Sequence, residues 1–150
     1  MAVGGPVVKQ TMCTTSTADV RASVERILKV AREGASLARL TVQGGREAKA
    51  CQEIRVTLDA AGCDVSLVAD IHFTPKVALA AADSWDKIRV NPGNFADGFK
   101  KFDGNVYEMR AEYVDAIPYI EELFVPLVKK CMENNVAMRK EPATGPCRRA

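Results

Sequence analysis

The sequence predicts an α/β fold, a parallel sheet covered by helices, and three observations carry that reading. Short β-branched runs alternate with longer stretches whose apolar residues recur at helical spacing. Glycines close the helical stretches, and charged or amide residues fall at alternate positions near the C-terminal ends of successive strand runs. Parallel neighbours need crossover connections, and those are right-handed. Element order alone leaves open whether the sheet is doubly wound or curls into a barrel. A complete barrel takes about 250 residues, so these 150 residues would supply little more than half of one.

Val7 to Met12 reads as the first strand. Ser16-Thr17-Ala18-Asp19 then gives a capping signal with an acid in the first turn, and Val20, Val24, Ile27, Leu28 and Ala31 form a helical stripe that Gly34 stops. Leu37 to Val42 is the second strand; Gly44-Gly45 opens a helix with Ala48, Cys51, Ile54, Leu58 and Ala61 on one face, ending before Gly62. Val65 to Asp70 is the third strand. Thr74-Pro75 fits an N-cap with proline at the first helical position, leading an Ala-rich helix through Ala82. Ile88-Arg89-Val90 lies in a fourth strand, and Asn91-Pro92-Gly93-Asn94 is a turn signal before an irregular polar stretch to about Asn105. A long amphipathic helix follows with Tyr113, Ile117, Ile120, Phe124, Leu127 and Cys131 on its apolar face, and Pro118 and Pro126 are expected to kink or split it. Val136 to Met138 starts a fifth strand.

The composition is that of one globular domain, 47% hydrophobic and 27% charged. The 21 basic and 19 acidic residues are dispersed, so no block of one sign suggests a nucleic-acid or membrane surface. No apolar run approaches the roughly 20 residues of a spanning helix, and Met1 to Pro6 lacks the layout of a signal peptide, so a soluble, non-secreted chain is expected. The 5 cysteines form an odd set without C-x-x-C pairs, against a disulfide framework or a zinc ribbon and in favour of a reducing compartment. Cys51 and Cys131 fall on apolar helix faces and read as buried small hydrophobes.

Strands buried on both faces should be nearly all apolar, so their polar residues need a reason. Arg39, Thr41 and Gln43 share one parity, as do Asp70 and His72, and Lys87, Arg89 and Asn91; Lys9 and Arg139 hold comparable places in the first and fifth strands. If each set points inward they converge on one mouth. One arginine there is as readily a cap on a sheet edge or the partner of an acid. Three at equivalent strand ends, with Asp70 too little to neutralise them, call for an anion, and a diphosphate suits guanidinium forks. His72 gains interest from standing two residues after Asp70, as a hydrogen-bonding or proton-transfer group. Lys9 and Lys87 read as solvated or structural, and Asn91 belongs first to its turn. No G-x-S-x-G, Walker or G-x-G-x-x-G motif occurs, so hydrolysis through a serine, nucleotide hydrolysis and dinucleotide binding have no direct support.

The segments Lys9-Gln10-Thr11-Met12, Thr15-Ser16-Thr17-Ala18-Asp19-Val20, Leu40-Thr41-Val42-Gln43-Gly44, Leu67-Val68-Ala69-Asp70-Ile71-His72-Phe73 and Asp86-Lys87-Ile88-Arg89-Val90-Asn91-Pro92-Gly93-Asn94 resemble, in order and spacing, the IspG (GcpE) family of hydroxymethylbutenyl-diphosphate synthases. The continuation Asn94-Phe95-Ala96-Asp97 resembles the plant and chlamydial type, and the match covers about Pro6 to Arg139. The resemblance implies a partial (β/α)8 TIM barrel of about five parallel strands and, for the full-length enzyme, reductive opening of methylerythritol cyclodiphosphate on the route to isoprenoids. It also implies single electrons from ferredoxin or flavodoxin, a [4Fe-4S] cluster and a homodimer. Arg39, Arg89, Asn91 and Arg139 are then the diphosphate-binding residues, with Asp70 and His72 as catalytic candidates. The family's cluster ligands, three cysteines and a glutamate on a separate C-terminal domain, have no counterpart among the cysteines here, so no metal ligand and no independent catalysis is expected of this chain.

Residues 1–139 are expected to be the N-terminal portion of the barrel. Residues 140–150 depart from the family pattern and are expected to be a divergent, disordered tail. A barrel lacking its later strands leaves an unpaired parallel edge, which predicts low stability or aggregation. A non-catalytic phosphate-binding or interaction module derived from the barrel is the alternative function. A pterin-binding synthase would be a third, but no pterin pocket is recognisable. The compartment expected is a plastid stroma for a plant or algal chain and a bacterial cytoplasm otherwise; no transit peptide is visible.

Overall fold

The computed structural model describes residues 7–72, 74–91 and 110–140, with only the backbone and Pro118 described in 110–120. Strands and helices alternate along it: β1 (Gln10–Met12), α1 (Val20–Arg32), β2 (Leu37–Thr41), α2 (Gly45–Ala60), β3 (Ser66–Ile71), α3 (Pro75–Ala81), β4 (Lys87–Val90), α4 (Arg110–Glu133) and β5 (Ala137–Lys140). The strands form one parallel sheet in the order β1-β2-β3-β4-β5, each hydrogen-bonded to its neighbour in sequence, with β1 and β5 at the edges. This is the βα alternation expected, in the arrangement of a partial barrel.

The helix ends follow from local chemistry. Asp19 is itself the N-cap of α1, accepting the N–H of Ala22 at 3.0 Å, rather than an acid of the first turn. Gly34 and Gly62, at φ 86° and 66°, take the left-handed conformation that ends α1 and α2. At the start of α2 the Glu47 carboxylate reaches back to accept the N–H of Gly44 at 3.1 Å. Thr74 is the N-cap of α3 with Pro75 behind it, although its hydroxyl makes no cap bond.

Two further expectations are corrected. The first strand begins at Gln10, where the ladder with Leu37 starts, and Val7 lies outside it, 93% exposed. Pro118 and Pro126 do not split α4, which runs unbroken for 24 residues. Both prolines are exposed, so water can meet the carbonyls left without a donor one turn earlier. The polar stretch after Asn91, the tail beyond Lys140 and the side chains of Tyr113, Ile117 and Ile120 lie outside the described residues.

The two sheet faces differ. Ala38, Leu40, Leu67, Ala69, Ile71, Ile88 and Val90 alternate onto the helix-covered face, where they meet Ile27 of α1, Ile54 and Leu58 of α2 and Leu127 of α4. Trp85 locks the entry to β4 by donating its indole N–H to the Cys51 carbonyl at 2.9 Å. Asn134 donates to the Ala82 carbonyl at 2.9 Å, capping the end of α3 and tying it to the end of α4. No described helix is long and apolar enough to cross a membrane.

Cys51 and Cys131 are buried at 0% and 3% exposure, as their helical positions predict. Burial pushes the Cys51 thiol up to about 12 and raises those of Cys13 and Cys131. These three stay protonated and hidden at neutral pH, while Cys63 is only half-buried. Peptide mapping after brief alkylation of the native chain at pH 8 should therefore find Cys63 labelled well before Cys13, Cys51 and Cys131. Because the folded pKa of Cys51 is raised, its contribution to stability is intact below pH 9 and lost as pH climbs toward about 12.

Candidate functional site

The face of the sheet turned away from the core helices carries the polar residues. In a parallel sheet, residues in register project to the same side. One row across the strands is Met12, Arg39, Val68, Lys87 and Ala137; the next is Thr41, Asp70, Arg89 and Arg139. The second row lies at the C-terminal ends of the strands, where barrels of this class keep their ligand sites. His72 follows directly on the end of β3 and Asn91 on the end of β4.

Asp70 is the hub. Its side chain is 4% exposed on the central strand, against 18% for Arg39 and 11% for Arg89. Arg39 donates to Oδ2 from both Nε, at 3.1 Å, and Nη2, at 2.7 Å. Arg89 donates to the other oxygen, Oδ1, from Nη1 at 2.9 Å. The carboxylate is thus shared, one oxygen to each guanidinium. Taken alone, the three side chains sum to +1, two cations against one anion.

His72, one-third exposed, stands over this pair with Nε2 3.5 Å from Asp70 Oδ1. Arg89 Nη1 is 3.4 Å from both ring nitrogens. A single nitrogen cannot lie along both in-plane directions, so the guanidinium meets the imidazole as a packed cation rather than through one directed bond. Arg139 is placed beside Arg89 by the β4–β5 register and is exposed on the edge strand. Asn91 is half-buried past the end of β4.

Of the residues expected at the mouth, then, Arg39, His72 and Arg89 all approach Asp70, and Arg89 also meets His72. Arg139 shares the row of Asp70 and Arg89, and Asn91 lies just beyond that row. Lys9 belongs to the opposite end of the sheet: its Nζ is 3.9 Å from where a Cβ on Gly34 would stand, in the α1–β2 turn. Thr17 carries a role that its sequence position did not single out. It is buried, and its hydroxyl donates to the Thr41 carbonyl at 2.7 Å, tying the β1–α1 loop across the end of β2. Ser23 supports it by donating to the Ser16 carbonyl at 3.1 Å. The hydroxyl-rich run Thr14 to Thr17 was the available signal. Among the described residues no group of three or more His, Cys, Asp or Glu side chains is placed to hold a metal ion.

Removing the hub should leave two guanidinium groups facing each other with their buried anion gone. Asp70→Ala is expected to lower stability by about 3 kcal/mol, read in urea denaturation from the fluorescence of the single tryptophan, Trp85.

Comparison with known proteins agrees with this architecture. A family model described as the GcpE TIM-barrel domain matches residues 1–145. The chain is 48% identical over 134 residues to the 4-hydroxy-3-methylbut-2-en-1-yl diphosphate synthase (ferredoxin), chloroplastic, of Oryza sativa subsp. japonica, covering 89% of this chain and 18% of that protein. It is 48% identical over 130 residues to the corresponding synthase (flavodoxin) of Chlamydia abortus, covering 87% and 21%, and 45% identical over 139 residues to that of Leptospira interrogans, covering 91% and 21%. The chain thus spans about a fifth of the length of these curated relatives. With the family model matched over nearly its whole length and its strands alternating with helices in one parallel sheet, the chain belongs to the GcpE TIM-barrel domain family.

Proposed function

We propose that this chain forms the diphosphate-gripping part of a 4-hydroxy-3-methylbut-2-en-1-yl diphosphate synthase, the enzyme that reductively opens methylerythritol cyclodiphosphate in isoprenoid biosynthesis. The observation that carries the proposal is the convergence of Arg39 and Arg89 on the buried carboxylate of Asp70, with Arg139 in the row of Asp70 and Arg89 at the strand ends. Clustered guanidinium groups at a barrel mouth suit the oxygens of a diphosphate, which they can bind in pairs. The names of the relatives specify the product and the electron donor, ferredoxin in the plant protein and flavodoxin in the bacterial ones.

In this reading the described residues bind and orient. Arg39, Arg89 and Arg139 hold the phosphates, Asn91 lies within reach of the same ligand, and His72 covers the ion pair from the solvent side. Of the two catalytic candidates, His72 is the more exposed and stands on the side from which a ligand would enter, able to hold or move a proton, while Asp70 is held between the two arginines. A [4Fe-4S] cluster, which the family resemblance implies, does not fit the described side chains, among which no cluster of candidate ligands occurs, so electron delivery falls to residues beyond them. On its own the segment is a binding element without turnover, and the whole enzyme works as a homodimer in a plastid stroma or a bacterial cytoplasm.

Titration calorimetry of the purified chain with methylerythritol cyclodiphosphate tests this. Binding is expected, and Arg89→Ala should weaken it by tenfold or more, the loss of about 1.4 kcal/mol or more; a chain folded by circular dichroism that takes up no ligand would overturn the reading.

A further inference from the structure

We infer that Asp70 is a positioning residue that makes the site selective for a diphosphate over a monophosphate, an inference that rests on the anion-binding reading above. A carboxylate at the base of a phosphate site is at first sight a defect, since its charge opposes the ligand. The geometry gives it a different use. Asp70 is more deeply buried than either arginine, so it lies beneath the guanidinium groups, and its two oxygens are divided between them. Arg39 gives Nε and Nη2 to Oδ2, which fixes the plane of its guanidinium and leaves Nη1 with no protein partner among the described residues. Arg89 is held by Oδ1 through Nη1 and packed against His72. Two long arginine side chains are thereby held in place before the ligand arrives.

The benefit of that ordering depends on the ligand. A monophosphate is met by a single fork and gains little from the spacing of a second. A diphosphate presents oxygens on two phosphorus atoms and binds best when both forks already stand at a fixed separation, the separation that one shared carboxylate imposes. Preorganisation and charge therefore predict opposite signs for Asp70→Asn. By charge alone the variant should bind every anion more tightly. If Asp70 acts by positioning, pyrophosphate affinity falls while orthophosphate affinity is kept or raised.

The test is calorimetric titration of the full 150-residue chain with inorganic pyrophosphate and, separately, orthophosphate, for the unaltered chain and for Asp70→Asn, with folding checked by circular dichroism. The unaltered chain is expected to prefer pyrophosphate. In Asp70→Asn that preference should drop by about tenfold, with orthophosphate binding within about twofold of the original or stronger. Pyrophosphate binding that is equal or tighter in a folded Asp70→Asn chain overturns the inference and leaves the anion site standing. Failure of the unaltered chain to bind pyrophosphate overturns the anion-binding reading itself. If Asp70→Asn does not fold, Arg39→Lys decides: it retains the charge and the acid but loses the double donation to Oδ2, and an undiminished preference for pyrophosphate in that variant overturns the inference.

Discussion

The parallel ladders on both sides of β3 set the register from which the mouth of this molecule follows. Thr41, Asp70 and Arg89 are level because β2, β3 and β4 pair without offset across those positions, and β5 extends the row to Arg139. A strand so placed is buried on both faces, and Asp70 is the one acid it carries there. A buried carboxylate is stable only when its charge and lone pairs are met. The neighbouring strands meet them with guanidinium groups, one on each side. A slip of one residue in either ladder would turn Arg39 or Arg89 into the helix-covered core and strand Asp70 without its partners.

That constraint divides the structure into a stabilising layer and a working face. The apolar alternates of β2, β3 and β4 lie under α1, α2, α3 and the end of α4, with Trp85 and Asn134 joining successive units through buried or half-buried hydrogen bonds. The N-terminal end of the sheet has its own polar clamp. Arg55 pairs with Asp59 one turn on and reaches Asp86 at 3.5 Å, while Asp86 accepts the N–H of Leu67 at 2.8 Å. This clamp fixes where β3 begins, and so how far Asp70 extends toward the opposite end. The partition follows the general logic of such barrels, in which one end of the strands serves stability and the other carries ligands.

Membership of the GcpE family gives this cluster a chemical context, since the relatives in rice and Chlamydia are named for a diphosphate product. Phosphate recognition asks little more of a protein than charge in the right place. The segment brings two arginines onto a single acid and a third into register with that acid and Arg89 on an edge strand. Cys51 and Cys131 instead fill space between helices and sheet, where burial keeps their thiols protonated.

How far the sequence went can be judged element by element. The alternation of period-2 and period-3.6 runs determined the α/β class, because a half-buried helix and a strand buried on both faces each impose their own spacing on apolar residues. The stops at Gly34 and Gly62 were legible because positive φ favours glycine. The site candidates Arg39, Asp70, His72 and Arg89 were legible as polar exceptions in apolar strands. The sequence could not determine where β1 begins, since an edge strand exists only where its neighbour offers a ladder, nor that α4 passes unbroken through Pro118 and Pro126. Nor could it determine the sharing of Asp70. Residue spacing says which side chains share a face, but the pairing of each carboxylate oxygen with a different arginine, the packing of Arg89 against His72 and the tether from Thr17 to Thr41 depend on distances between strands far apart in the chain, and only the tertiary structure decides those.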